Sequence, residues 1–208
     1  MTSGSSPTAP AVQAAALTGL QPALKLAVGR GGRERHTVNL HAVLNLLNRF
    51  AGTRDEPLRE DMVSRLGDYL AAAHRLEAGP DIALPGLCEL ARSYAAMRYL
   101  MADAIEPRVT WEGADFRLRT EQSADMAAFL QGALDSLLQG FTPWVHLSLQ
   151  PVRWWTVELT LIAGAPPHGG QGACPGWSRL PGGAGFARSA RFTAIAQAMP
   201  RTSERPRP

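Results

Sequence analysis

One histidine and two asparagines recur at helical spacing in His41-Ala-Val-Leu-Asn45-Leu-Leu-Asn48. Offsets of four and three residues put all three on one face of an α-helix. Leu40, Leu44 and Leu47 take the same spacing on the neighbouring stripe, so an apolar seam is expected beside a polar row. That pattern suits a helix that packs on one side and presents an imidazole on the other, as a phosphate-accepting histidine requires. Neutral imidazole at His41 would attack a phosphoryl group through one ring nitrogen, with a hydrogen bond holding the proton on the other. Asn45, one turn on, is placed to contact the acceptor or the phosphoryl oxygens. No carboxylate directly succeeds His41, so no general base is identified. Arg33 and Arg35, about two turns upstream, read as a solvated helix face that could also draw an acidic partner.

Several elements must position this row. Residues 1–10 are rich in Ser, Pro and Gly and are expected to be a disordered tail; the Arg/Pro-rich 200–208 forms a second. Residues 11–83 read as helical, interrupted by Gly29, Gly31 and Gly32. One helix is expected from about Glu34 to Phe50. A turn at Gly52, Thr53, Asp55 and Pro57 starts a second, carrying Met62, Val63, Leu66 and Leu70 and ending near Gly79-Pro80. Two helices and a short turn make an antiparallel hairpin, which buries little surface alone, so pairing into a dimeric four-helix bundle is the expected completion. A third helix, with Leu87, Leu90, Ala91 and Tyr94 inward, should run to about Ala104, and Arg108 to Trp111 reads as a strand. Met126 to Leu138 reads as an amphipathic helix with Phe129, Leu130, Ala133 and Leu137 inward. Trp144–Leu149 and Trp154–Ile162 alternate as strands about a turn at Gln150-Pro151-Val152. Residues 164–184 read as a mobile loop, and Gly185 to Met199 as a last helix. The order argues for an α+β sandwich over residues 84–199, after the hairpin domain at 11–83.

Composition narrows the classes. The chain has 208 residues, 45% of them hydrophobic, enough for a core in one or two domains. Net charge is +3 and the pI about 9.3. Arg and aromatic residues are not interleaved, and no nucleic-acid-binding signature occurs, so no nucleic-acid partner is expected. Cys88 and Cys174 are too few for a disulfide framework and form no CxxC pair, which fits a cytoplasmic location; Cys88 reads as a small core residue. His36, His74, His146 and His168 lack metal-ligand spacing, and no HExxH occurs, so no metal ligands are assigned. Trp154-Trp155 reads as sheet packing. The apolar run from Ala11 to Val28 is broken by Gln13, Thr18, Gln21, Pro22 and Lys25; no signal peptide or membrane span is expected there. Input at a membrane would need a membrane-embedded sensor partner.

Several segments, taken in order, carry a family resemblance. Val38 to Asn48 resembles the phosphoacceptor motif N-P-H-F-L-F-N-x-L-N of LytS-type, AlgZ-like sensor histidine kinases. The His and both Asn match; Ala42, Val43 and Leu44 replace bulkier residues, and Leu40 replaces the proline. Glu89, Leu90, Tyr94 and Arg98 resemble that family's Leu-x-x-Glu-Leu…Tyr…Arg helix. Phe129 to Gly140 resembles its L-Q-x-x-x-E-N-A-x-x-H-G nucleotide box, and Gly182 to Arg191 its G-x-G-L-x-N-x-x-x-R box. The likeness spans roughly residues 35 to 195. It implies phosphorylation of His41 with Asn45 assisting, transfer to an aspartate on a response-regulator receiver domain, and a homodimer paired through the hairpin. It also implies an ATP-binding domain in which Asp135, Ser136, Gly182, Gly183 and Gly185 face ATP and Mg²⁺.

The departures are as specific as the matches. Ser136 stands where the family's Mg²⁺-holding asparagine falls, and Asp135 replaces its glutamate. No carboxylate lies at Ala163 to Ala165, where the adenine-reading aspartate belongs, and no closing strands are expected after the last Gly box. Each loss removes metal neutralisation or nucleotide positioning from phosphoryl transfer. The resemblance therefore implies a histidine-kinase fold with a degenerate, incomplete ATPase-like domain. Three readings are open: a kinase that still uses ATP and Mg²⁺, a phosphotransfer protein that needs no cofactor, and a pseudokinase that binds a kinase or regulator.

Overall fold

Apolar spacing, caps and turn chemistry divide the described residues into four α-helices and two sheets in an α+β arrangement. The structure is a computed structural model and describes residues 37–79, 81–113, 117–138, 143–153, 156–164, 176–183 and 185–193. The tails at 1–10 and 200–208, the helical run expected before Glu34, Arg33, Arg35, Cys174, His168 and Trp154-Trp155 lie outside the described residues.

Helix α1 spans Leu40–Gly52 and helix α2 spans Glu56–Ala78. Asn39 caps α1, its side-chain oxygen accepting from the Ala42 N–H at 3.1 Å; Asp55 caps α2, accepting from the Leu58 N–H at 3.2 Å. The three residues Thr53, Arg54 and Asp55 connect them, and the Arg59 guanidinium lies 4.5 Å from the centre of the Phe50 ring across the turn. The packed face of α1 is Ala42, Val43 and Leu46. This corrects the expected seam of Leu40, Leu44 and Leu47: Leu44 is 52% exposed and shares the solvent face with His41, Asn45 and Asn48. Leu47 is half-buried against the core beside them, so the packed stripe is turned toward Ala42, Val43 and Leu46. In α2, Met62 and Leu66 are buried with Tyr69, Ala72, Ala73 and Leu76, while Val63 turns outward.

Strand β1, Asp81–Ala83, pairs antiparallel with β3, Arg117–Arg119, in a small two-stranded sheet. Between them, α3 runs Leu84–Met101 with Leu87, Leu90, Ala91 and Tyr94 buried, and β2 runs Arg108–Gly113. Helix α4, Ser123–Asp135, buries Leu130 and Ala133; Leu137 is buried just beyond it, and Phe129 is partly buried. The main sheet has the order β2-β4-β5-β7-β6, with β4 at Trp144–Arg153, β5 at Thr156–Ala163, β6 at Ser178–Arg179 and β7 at Phe186–Thr193. Among the described strands of this sheet, β2–β4 is the one parallel pair. Val145, Leu147 and Leu149 face Ala163, Leu161 and Leu159 across the β4–β5 ladder, all buried on one face.

Four further expectations are corrected. In place of the helix expected from Gly185 to Met199, Phe186–Thr193 forms β7, antiparallel to β5 along its length. A closing strand is therefore present. Gln150-Pro151-Val152 is not a turn; β4 continues through it to Arg153, with a register shift between Pro151 and Arg153. Part of the loop expected at 164–184 carries β6 and a short 3₁₀ turn at Pro181–Gly183.

Candidate functional site

His41 occupies the second position of α1 and is exposed, on the face opposite Ala42, Val43 and Leu46. Asn45 and Asn48 are exposed on that same face. The first turn of α1 contains no acidic residue, so the positive end of the helix dipole is uncompensated beside the imidazole, a setting that favours an added phosphoryl charge.

Beneath this helix end lies a polar network that links all four helices. Asn39, two residues before His41, is bonded to it through both backbone and side chain. Its backbone N–H donates to Tyr69 Oη at 2.7 Å, and its side-chain Nδ2 donates to Tyr94 Oη at 3.0 Å. Tyr94 Oη in turn donates to Asp135 Oδ2 at 2.9 Å, and Arg98 Nε donates to Asp135 Oδ1 at 2.7 Å. Gln131 Nε2 donates to the Thr37 carbonyl at 2.7 Å and to Tyr69 Oη at 2.9 Å, and Thr37 N–H donates to Glu77 Oε1 at 3.2 Å. The two tyrosine rings meet at 5.4 Å between centroids. Burial drives the Tyr94 hydroxyl far above the ordinary phenol range, and the neighbouring Asp135 carboxylate pushes it the same way. Burial likewise raises Tyr69. Both phenols therefore keep their protons and act as donors.

Asp135 ends α4, where a carboxylate meets the negative pole of the helix dipole. Arg98 and the Tyr94 hydroxyl compensate for that position. Ser136 comes directly after it: its Oγ donates to the Ala133 carbonyl at 2.6 Å and accepts from Trp177 Nε1 at 2.9 Å. The nucleotide-box side chains thus have partners within the protein.

The glycines also have a structural explanation. β6 and β7 form a hairpin in which Arg179 faces Phe186, closed by a hydrogen bond from the Leu180 N–H to the Gly185 carbonyl at 2.9 Å. Gly182 takes φ 78°, and Gly183 ends the 3₁₀ turn. A Cβ on Gly185 would lie 2.5 Å from the Ala163 carbonyl oxygen. These glycines serve a turn and a close strand approach. The next element is the strand β7, so no helix N-terminus is aimed at a phosphate there.

These residues do not fit ATP and Mg²⁺. Asp135 and Ser136 are engaged, Gly182, Gly183 and Gly185 form a hairpin turn, and among the described residues no three His, Cys, Asp or Glu side chains converge on a cation position. A cleft with a volume of about 290 Å³ lies between α2 and α3, but its arginines are occupied: Arg65 by Asp61 and Glu106, Arg75 by Glu89, and Arg92 by the Val109 carbonyl and the Trp111 ring. None of the five residues assigned to nucleotide lines it.

The structure brings Asn39, Tyr94, Arg98 and Asp135 together. Tyr69 and Gln131 escaped sequence reasoning. Their signal was a Tyr and a Gln at otherwise apolar helical positions, each needing a polar partner inside. No helix among the described residues is long and apolar enough to cross a membrane. No protein-family model matches this chain, and no curated protein does.

Proposed function

We propose that this chain is a histidine phosphotransfer protein of two-component signalling. His41 accepts a phosphoryl group and passes it to the aspartate of a response-regulator receiver domain. In the loading direction, a neutral ring nitrogen of His41 attacks the phosphorus of a receiver's aspartyl phosphate. The N–P bond forms as the P–O bond to the carboxylate breaks, and the aspartate leaves as the anion; the reverse step reloads a second receiver. Asn45 donates its amide hydrogens to the phosphoryl oxygens, and the α1 dipole favours the charge gained. The reading implies a homodimer through the α1–α2 hairpin, a cytoplasmic location and a sensor partner that supplies the signal.

The observation that carries this reading is the exposed imidazole, on the first turn of a capped helix whose opposite face is buried. The resemblance to LytS-type kinases supports it in the order of its motifs, and the engaged side chains of Asp135 and Ser136 favour relay over ATP use. Receiver domains from the same genome, phosphorylated with acetyl phosphate, supply the test. Label should pass to the wild type and not to His41→Ala. Label on both proteins would rule out His41 as the acceptor. A second reading, a pseudokinase scaffold, is favoured by the same engaged nucleotide box; it predicts a stable complex with a kinase or receiver and no label on either protein.

A further inference from the structure

The geometry points to a second use of the nucleotide-box acid: we infer that Asp135 is a positioning residue that locks the histidine-bearing helix to the α/β layer through Tyr94 and Asn39. The inference rests on the reading of His41 as a phosphoryl acceptor and says what holds that acceptor in place.

The connection is short and passes directly from side chain to side chain. Asn39 is the cap of α1 and precedes His41 by two residues. Three of its groups are committed at once: Oδ1 to the Ala42 N–H, the backbone N–H to Tyr69, and Nδ2 to Tyr94. Tyr94 can donate only one proton, and it goes to Asp135. Asp135 receives a second, charge-assisted bond from Arg98. Three helices thereby meet at one carboxylate: α1 through Asn39, α3 through Tyr94 and Arg98, and α4 through Asp135 itself. The side chain is half-buried, so the bonds are screened less than a surface pair would be. Ser136, beside it, fastens the segment that enters β6 through Trp177. The two positions that would serve a nucleotide are built into the support of the histidine instead.

A carboxylate committed to Tyr94 and Arg98 is not free for a phosphate-bound cation. Releasing it to bind one would leave the Tyr94 hydroxyl, which accepts from the cap residue Asn39, without its own acceptor. The same side chain cannot do both, and this exclusivity is what the test uses.

Hydrogen–deuterium exchange of the whole chain reads the lock directly. In Tyr94→Phe, which keeps the ring and removes only the hydroxyl, and in Asp135→Asn, amides of α1 should exchange about tenfold faster, the change expected for one lost charge-assisted hydrogen bond. Amides of β5 that exchange by local fluctuation, without global unfolding, should keep their wild-type protection. Tyr99→Phe is the control: the Tyr99 hydroxyl is buried and has no partner among the described residues, so its removal should leave α1 unchanged. Equilibrium dialysis with MgATP should detect no binding to wild type. The lock is overturned if α1 exchange is unchanged in both variants, if the locally exchanging β5 amides accelerate equally with α1, or if wild type binds MgATP and Asp135→Asn abolishes that binding. Phosphoramidate, a small diffusible donor, separates the two claims. It should label wild type and Tyr99→Phe alike and leave His41→Ala unlabelled. Failure to label wild type overturns the acceptor reading, whereas unchanged exchange overturns the lock.

Discussion

Tyr94 and Tyr99 stand five residues apart on α3, both buried, with opposite fates for their hydroxyls. Tyr94 bridges Asn39 and Asp135; Tyr99 Oη has no partner among the described residues. Losing the Tyr94 hydroxyl leaves an amide and a carboxylate each short of a bond, so Tyr94→Phe should destabilise the protein by about 1–3 kcal/mol. Losing the Tyr99 hydroxyl removes an uncompensated desolvation, so Tyr99→Phe should be neutral or stabilising by up to about 1 kcal/mol. Urea unfolding of the two variants against wild type checks the difference in sign. The same residues set the alkaline limit. Burial pushes the Cys88 thiol from 9.0 up to about 12, opposed by Arg92, and burial with help from Asp135 pushes Tyr99 from 10.0 up to about 12. A folded-state value raised above the unfolded one gives stability that is whole below the unfolded value and lost as pH rises through the folded one. The urea midpoint should therefore hold up to about pH 8.5 and fall between about pH 9 and pH 12. Cys88→Ala should flatten the lower part of that fall.

At the scale of elements, caps and turns separate what each helix owes to its own sequence from what it owes to its neighbours. Asp55 caps α2 from an exposed position, and Asp55→Ala should cost about 1 kcal/mol. Asn39 makes the same kind of cap for α1 and also binds Tyr94, so Asn39→Ala should cost clearly more, about 2 kcal/mol. Circular-dichroism urea curves rank the two; equal losses would mean that the Tyr94 link contributes nothing. Such local signals explain what was legible. The helices carry apolar residues at helical spacing, and the Asp55–Pro57 start is written in turn chemistry. The strands misled where local preference and pairing disagree. Ala187, Arg188, Ser189, Ala190 and Arg191 include good helix formers, yet β5 offers them a full antiparallel ladder, and pairing overrides propensity. Pro151 reads as a turn, but among the described residues β2 pairs only as far as Leu149 and β5 is the one neighbour of β4 at Pro151, an edge-like position where the missing N–H is tolerated. The exposed His41 row was legible because an α-helix fixes its own geometry. The Tyr69–Gln131 half of the network was not, because a contact between residues 62 positions apart leaves no local period.

For the molecule as a whole, the boundary between 83 and 84 divides the sequence pattern but not the core. Buried side chains run without a break from Ala42, Val43 and Leu46 in α1 through Tyr69 and Leu76 in α2, Leu87 and Tyr94 in α3 and Leu130 in α4 to Leu147 and Leu161 in the sheet. A Cβ built on Gly86 would lie 3.6 Å from the Leu76 Cδ1, so α2 and α3 are in van der Waals contact across the boundary. Arg49 reaches from α1 to Asp103 at 2.6 Å beyond the end of α3. A hairpin seated this way has no independent face on which to swing. Unfolding should then be one cooperative step, with helix signal and tryptophan fluorescence changing at the same urea concentration. A chain begun at Leu84 would expose the Leu87, Leu90 and Tyr94 face of α3 and strand Arg98 and Asp135 without Asn39 above them. It should lack cooperative unfolding and bind a hydrophobic dye. Two separated transitions in the full chain, or a cooperative melt of the 84–208 fragment, would contradict a lock that joins the two parts. His41→Ala, by contrast, removes an exposed ring from the far side of α1 and should leave that single transition within about 0.5 kcal/mol of wild type, so loss of label in that variant reports chemistry and not folding.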